Sequence, residues 1–279
     1  MVQSPGRKPR SKAGKRRGTM RAEVRDAARA EFLYGINSAR AALGAGRRRL
    51  TRLHLKSGPA SSKLAALRQL AAERGISVRE ATPPELEEIC GSPNHQGAVL
   101  HCGPLPLLDE ARALSNPFQA QQPGERAPLL VALDRVEDPR NLGAIVRSAA
   151  AFGASGLVLP RDRSAPLSAA ASSASAGALE TFPVAQAANL ARFLAVARKR
   201  GYWVAGATAS AEAGVTPLDA FDHDGPLVLV LGSEAKGLRP LVARQCDFLL
   251  TIPLPGGGGT DSLNVSAAAA VLLYRLRRG

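Results

Sequence analysis

The chain has 279 residues, with 37 Lys and Arg against 23 Asp and Glu and a formal charge of +14. The excess is uneven: residues 1–30 hold ten basic and two acidic side chains, and the remainder is nearly balanced. A uniformly basic, histone-like protein is therefore excluded. A basic arm ahead of near-neutral globular material fits an acidic partner, nucleic acid being the commonest, with a solubilising tail as the plain alternative. Cys90, Cys102 and Cys246 are odd in number and show no CxxC spacing. Neither a disulfide framework nor a zinc knuckle is supported, and a reducing, cytoplasmic setting fits. No apolar run reaches the ~18 residues of a membrane span, and the first twenty residues lack the apolar stretch of a signal peptide.

Residues 1–30, rich in Gly, Pro, Lys, Arg and Ser at their start, read as a disordered basic tail. Periodicity then predicts a helix over 36–44 with Gly44 as its stop, a strand over 50–55, a helix over 63–74, a strand over 76–79, a helix over 84–90 and a strand over 98–101. Residues 31–104 thus form a small alternating α/β unit. Residues 105–127 carry prolines at 106, 117 and 123 and have linker composition. From 128 to 279 the pattern predicts strands over 129–133, 156–159, 202–207, 227–231 and 248–252. The helices between and after them are expected over 141–152, 189–200, 238–244 and 262–277. Strands apolar along their whole length, alternating with helices, argue for a mostly parallel sheet covered on both faces. In such sheets ligands sit in loops at the carboxyl ends of the strands.

Three of those loops carry polar residues in suggestive order. The first runs Asp134-Arg-Val-Glu-Asp-Pro-Arg-Asn141-Leu-Gly-Ala-Ile-Val-Arg147. There Asn141 can cap the next helix, and Arg147 either covers apolar surface with its stem or presents a fixed cation to the crevice. The second, Leu231-Gly232-Ser233-Glu234-Ala235-Lys236-Gly237, follows an apolar strand and is neither G-x-G-x-x-G nor a P-loop. It reads as an ordinary strand-to-helix turn or as a place of close backbone approach to a ligand. The third runs from Ile252-Pro-Leu254-Pro through four glycines to Thr-Asp-Ser262-Leu263-Asn264-Val-Ser266, a flexible loop that ends in capping residues.

Taken together, Asn141-x-Gly143-x-x-x-Arg147, then Leu-Gly-Ser-Glu234, then Ile-Pro followed by Ser262-Leu-Asn264, closely resemble the three ordered motifs of the SpoU (TrmH) RNA ribose 2′-O-methyltransferases of the SPOUT superfamily. The stretch Ser173–Glu180, with Tyr34-Gly35-Ile36-Asn37 and Asn94-His95-Gln96-Gly97 in the small unit, resembles the branch that includes bacterial 23S rRNA guanosine 2′-O-methyltransferases. The resemblance implies a Rossmann-like methyltransferase domain closed by a trefoil knot, which periodicity alone argues against. It also implies an L30e-like substrate-binding domain ahead of it and a homodimer. S-Adenosylmethionine is the implied cofactor, with contacts from Gly206, Gly232, Ile252, Leu254 and Leu263. Arg147, Asn141, Glu234, Ser262 and Asn264 are the implied catalytic set. The segment from Ile252 to Ser262 is longer than the family spacing, with Gly256–Gly259 filling it, so a more mobile cofactor lid is expected.

For RNA, Arg47, Arg48, Arg49 and Arg52 form the densest basic cluster of the small domain and are the expected phosphate contacts, a solvated turn being the alternative. His95 and Gln96 read either as RNA contacts or as structural. His54, His101 and His223 form no metal-ligand grouping, so no metal is expected. The leading reading is methylation of a guanosine ribose in 23S rRNA. The alternatives are another rRNA or tRNA target, or a non-catalytic RNA-binding ribosome-assembly factor.

Overall fold

The computed structural model describes residues 31–59, 61–115, 126–210, 212–234, 236–254 and 262–278. The basic tail and the Gly256–Gly259 insertion lie outside the described residues. The small unit is a four-stranded mixed sheet in the order β1-β4-β2-β3. Its strands are β1 (Glu31–Tyr34), β2 (Leu50–Lys56), β3 (Ser77–Ala81) and β4 (Ala98–Cys102). Leu33, Leu53, Leu55 and Leu100 alternate onto one face and pack under helices α1 (Ile36–Ala45) and α2 (Ser62–Glu73), while α3 (Pro83–Cys90) packs on the other face through Leu86 and Cys90. Helix α1 runs past Gly44 and stops at Gly46, whose φ of 61° is the left-handed conformation that ends helices.

The large unit is a seven-stranded sheet, β7-β6-β5-β10-β8-β11-β9, with every described pairing parallel. Its strands are β5 (Leu129–Asp134), β6 (Gly156–Pro160), β7 (Val184–Ala187), β8 (Trp203–Ala207), β9 (Val215–Pro217), β10 (Leu227–Gly232) and β11 (Phe248–Thr251). Both faces are covered, as uniformly apolar strands require. Leu129, Val131 and Leu133 face α5 (Pro139–Ala151) and α9 (Val265–Leu276); Leu130 and Ala132 face α7 (Leu190–Lys199), where Phe193 is fully buried. Burying each such side chain contributes about 1.5–3 kcal/mol. Helices α6 (Ala169–Ala174) and α8 (Pro240–Ala243) are short connectors. Gly143 lets α5 lie against α6, because a Cβ there would come within 2.4 Å of the Ala171 carbonyl.

The expected linker is corrected in its first half. Leu105 enters the large core, Leu108 bridges to Ala185, and α4 (Glu110–Ser115) buries Ala113 and Leu114 against the sheet. Residues 116–125 lie outside the described residues. The two units meet through Arg47, Arg48 and the turn at Ala178–Glu180. No helix among the described residues is long and apolar enough to cross a membrane.

Candidate active site

Chain order reverses around β5 and β10. From β5 the chain adds β6 and β7 on one side, then crosses to build β8, and β10 later inserts between β8 and β5. At such a switch point the loops leaving the carboxyl ends of adjacent strands diverge and open a crevice. The loops after β5, β10 and β11 are the three singled out in the sequence.

Their side chains meet. The Asn141 amide donates to Glu234 Oε1 at 2.8 Å, and the Asn264 amide donates to the same oxygen at 2.5 Å and to Asn141 Oδ1 at 3.2 Å. One carboxylate thus ties together residues 93 and 30 positions away. The local sequence prepares each partner. Asp138, not Asn141, caps α5 by accepting from the Arg140 amide at 2.7 Å, which leaves the Asn141 side chain inside the first turn and available. Asn264 is the cap of α9: its Oδ1 accepts from the Ser266 amide at 2.9 Å and hydroxyl at 2.6 Å, and its NH₂ is left to donate across the crevice.

Beside this triad lies a cavity of about 850 Å³ at the carboxyl ends of β8, β10 and β11. Gly232, Ile252, Leu254, Ser262 and Leu263 all line it, and Glu234 stands at its rim as an exposed lining residue. Leu254 and Leu263 remain 38% and 37% exposed, an apolar mouth without protein to cover it among the described residues. Gly206 is a correction. It is buried, and a Cβ there would meet Leu238 at 2.6 Å and Cys246 at 2.7 Å; the cavity wall on β8 is formed by Ala207 and the residues after it. Gly232 keeps its place for a different reason from close ligand approach alone: a Cβ would lie 2.3 Å from the Gly237 carbonyl carbon, where the loop closes on itself through Ser233 and Gly237.

Arg147 stands apart from the triad. It lies nearly two turns beyond Asn141 on α5, is exposed, and makes no hydrogen bond or ion pair with the described residues. Glu234, which could have oriented it, spends its Oε1 on the two asparagines instead. The sequence reading missed Asp134 and Arg239. Asp134, fully buried at the end of β5, accepts from the Arg239 amide at 2.8 Å and its Nε at 2.6 Å, so it ties the glutamate loop to the first loop. An acid ending an otherwise apolar strand was the available signal.

The basic cluster of the small domain is also corrected. Arg48 is fully buried, bidentate to Glu180 at 2.6 and 3.2 Å, and further bonded to Glu31 and the Gly103 carbonyl. Arg47 donates to the Phe182 and Pro106 carbonyls. Both arginines hold the two units together and are not phosphate contacts; the desolvated guanidinium of Arg48 is matched by carboxylate, as burial demands. Arg49 is exposed and Arg52 half-buried, on the small domain's surface. His95 is buried and accepts from the Gly97 amide, and Gln96 accepts from the Ile36 amide, so both stabilise the turn before β4.

This fold and site define an α/β protein in which polar side chains from three loops converge beside a largely apolar cavity at a sheet switch point. Residues 128–274 match the SpoU rRNA Methylase family, and residues 32–108 match the family described as RNA 2'-O ribose methyltransferase substrate binding. The chain belongs to the SpoU rRNA methylase family. It is 38% identical over 254 residues, 90% of this chain and 98% of the other, to the 23S rRNA (guanosine-2'-O-)-methyltransferase RlmB of Acinetobacter baylyi. An uncharacterized tRNA/rRNA methyltransferase of Mycolicibacterium vanbaalenii is 43% identical over 216 residues, 75% of this chain; the match spans only 64% of that relative's length. Among solved structures, an AdoMet-bound rRNA methyltransferase from Sinorhizobium meliloti superposes with a TM-score of 0.72 at 28% identity, over 92% of this chain and 90% of that one.

Proposed function

We propose that the protein transfers a methyl group from S-adenosylmethionine to the ribose 2′-hydroxyl of a guanosine in 23S rRNA. The observation that carries this is the meeting of Asn141, Glu234 and Asn264 beside the 850 Å³ cavity. The 38% identity to an enzyme named for that reaction supports the target.

The cavity suits the donor. Ile252, Leu254 and Leu263 offer apolar walls for an adenosyl group, and the backbone at Gly232 offers hydrogen-bonding groups close by. Bound there, the donor would supply an electrophilic sulfonium methyl with a neutral thioether as the leaving group. The chain's own residues do the rest. The Asn141–Glu234–Asn264 network fixes the three loops relative to one another, and holding two reactants in line replaces about 7–11 kcal/mol of entropic barrier in well-aligned systems. Ser262, exposed at the mouth, is a hydrogen-bonding group for the incoming ribose. The guanidinium of Arg147 carries a fixed positive charge, so it acts by stabilising negative charge on the ribose oxygen and by anchoring a neighbouring phosphate. The hydroxyl proton leaves to phosphate or water as the O–C bond forms and the S–C bond breaks.

The remaining parts of the reading follow from the same family. Arg49, Arg52 and the tail bind RNA phosphates, and the setting is cytoplasmic. The C-terminal part of the large domain threads a trefoil knot, a reading supported by the insertion of β10 between β5 and β8. A homodimer is supported by the apolar stripe Ala267, Val271 and Tyr274 on α9, the last two 40% and 46% exposed. The test is Arg147→Lys. A loss of at least about tenfold in kcat with unchanged cofactor affinity is expected; near-full activity would sink the role given to the planar guanidinium.

A further inference from the structure

A second cleft among the described residues is not used by the methyltransfer site. It has a volume of about 560 Å³ and lies at the opposite, amino end of β8, an interior strand of the large sheet. Trp203, its aromatic wall, is the first residue of that strand, and Ala207 at the other end lines the catalytic cavity. Four steps along a strand separate them by about 13 Å, so one small molecule cannot serve both.

Trp203 is the single tryptophan of the chain and is 46% exposed. Its ring is steadied by Phe248 at 5.5 Å and His223 at 5.9 Å, which fixes an indole that still faces solvent. Around it stand Lys199, Arg198, Gln245 and Asp247. Asp247 is spent: it pairs with Arg198 at 2.8 Å and accepts from the Val204 amide at 3.0 Å. Lys199, the side-chain amide of Gln245 and the indole N–H have no hydrogen-bond or ion-pair partner among the described residues. The two cations sit in the last turn of α7, where the helix dipole favours them.

This set is chemically specific. A rigid, half-exposed indole offers a face for stacking, an unspent amide can both donate to and accept from a base edge, and an unpaired ammonium can neutralise a phosphate. An acidic peptide would use the cations but not the stacking face and amide together. We infer that this cleft binds an unpaired nucleotide of the RNA substrate, its base stacked on Trp203 and its phosphate held by Lys199. The inference rests on the proposed RNA substrate and gives that substrate a second anchoring point away from the reacting ribose.

The single tryptophan makes the test direct. Titrating the full-length protein with a short oligoadenylate is expected to quench Trp203 emission, with quenching weakened about tenfold in Lys199→Glu and Gln245→Ala. Trp203→Leu, checked for native thermal unfolding, should raise the KM for RNA about tenfold while kcat and S-adenosylmethionine affinity stay unchanged. The variants at Lys199 and Gln245 keep the test open if Trp203→Leu fails to fold. Unchanged emission on saturating the protein with oligoadenylate, or quenching by an acidic peptide instead, would overturn the inference. Loss of methyl transfer to every RNA with quenching intact would count against the proposed reaction and not against the cleft.

Discussion

Replacing Glu180 with alanine is expected to destabilise the protein by about 3 kcal/mol, near the lower end of what removing one partner of a buried ion pair costs. The magnitude follows from the surroundings. Arg48 and Glu180 have side chains 0% and 1% exposed, and two of the guanidinium's hydrogen bonds, at 2.6 and 3.2 Å, end on that carboxylate. Glu31, 2.8 Å away and 44% exposed, stays behind as partial compensation, as does the Gly103 carbonyl at 3.1 Å. The loss therefore falls short of leaving a bare buried charge. Urea unfolding followed by circular dichroism should show the midpoint falling by about 1–3 M at ordinary m-values. Because the pair joins the two units, the small unit should also unfold ahead of the large one. The double substitution Arg48→Met with Glu180→Leu should recover most of the loss, since paired burial can be replaced by apolar packing. A Glu180→Ala protein within about 1 kcal/mol of the wild type would refute the view that this pair locks the domains.

Three further outcomes follow from the same structure. His54 and His101, ring centroids 5.1 Å apart, are both held below the ordinary histidine pKa, first by burial and then by neighbouring positive charge, from His101 and Arg52 on His54 and from Arg52 on His101. Their stabilising effect is present above the unfolded value of 6.5 and is lost as pH falls below it; His101→Gln should flatten the pH dependence of the urea midpoint between about pH 7 and 5. Burial pushes the thiols of Cys102 and Cys246 up to about 12 from 9.0, and the neighbouring charges only partly offset or add to it. Both thiols should therefore react with an alkylating reagent at pH 8 far more slowly in the folded protein than in urea, and stability should decline as pH rises from 9 towards 12; rapid native labelling at Cys102 would contradict this burial. Gly232→Ala, which puts a Cβ against the Gly237 carbonyl, should weaken S-adenosylmethionine binding by calorimetry at least about tenfold, or ~1.4 kcal/mol, and unchanged affinity would show the loop to be free to move.

Much of the architecture was legible because long, strongly periodic segments carry their own evidence. The apolar strand at Leu227–Gly232 and helix Leu190–Lys199 sit within a residue or two of where periodicity predicts them. What escaped was short and held by distant partners. Glu31–Tyr34 has four residues and exists because it pairs with β4; Glu110–Ser115 sits among prolines and is stabilised by burying Ala113 and Leu114. The family motifs named Asn141, Glu234 and Asn264, yet only the fold reveals that they bond to one another, and that Asp138 takes the capping role that would otherwise occupy Asn141. Charge counting failed at Arg47 and Arg48 for a related reason. A row of arginines looks the same in sequence whether it faces RNA or a glutamate 132 residues away. The same limit hid Trp203, whose exposure depends on how β8 meets β11 and the loop carrying His223.

Transfer of a methyl group to a ribose hydroxyl leaves a bond that alkaline hydrolysis reads directly. A 2′-O-methylated nucleotide cannot cyclise onto its 3′ phosphate, so its linkage survives base. Purified protein incubated with S-adenosylmethionine and unmodified 23S rRNA should leave one alkali-resistant linkage, 3′ to a guanosine, and Asn141→Ala or Arg147→Ala should abolish it. Incorporation of methyl label without a resistant linkage would mean that a base is the acceptor and would contradict ribose methylation.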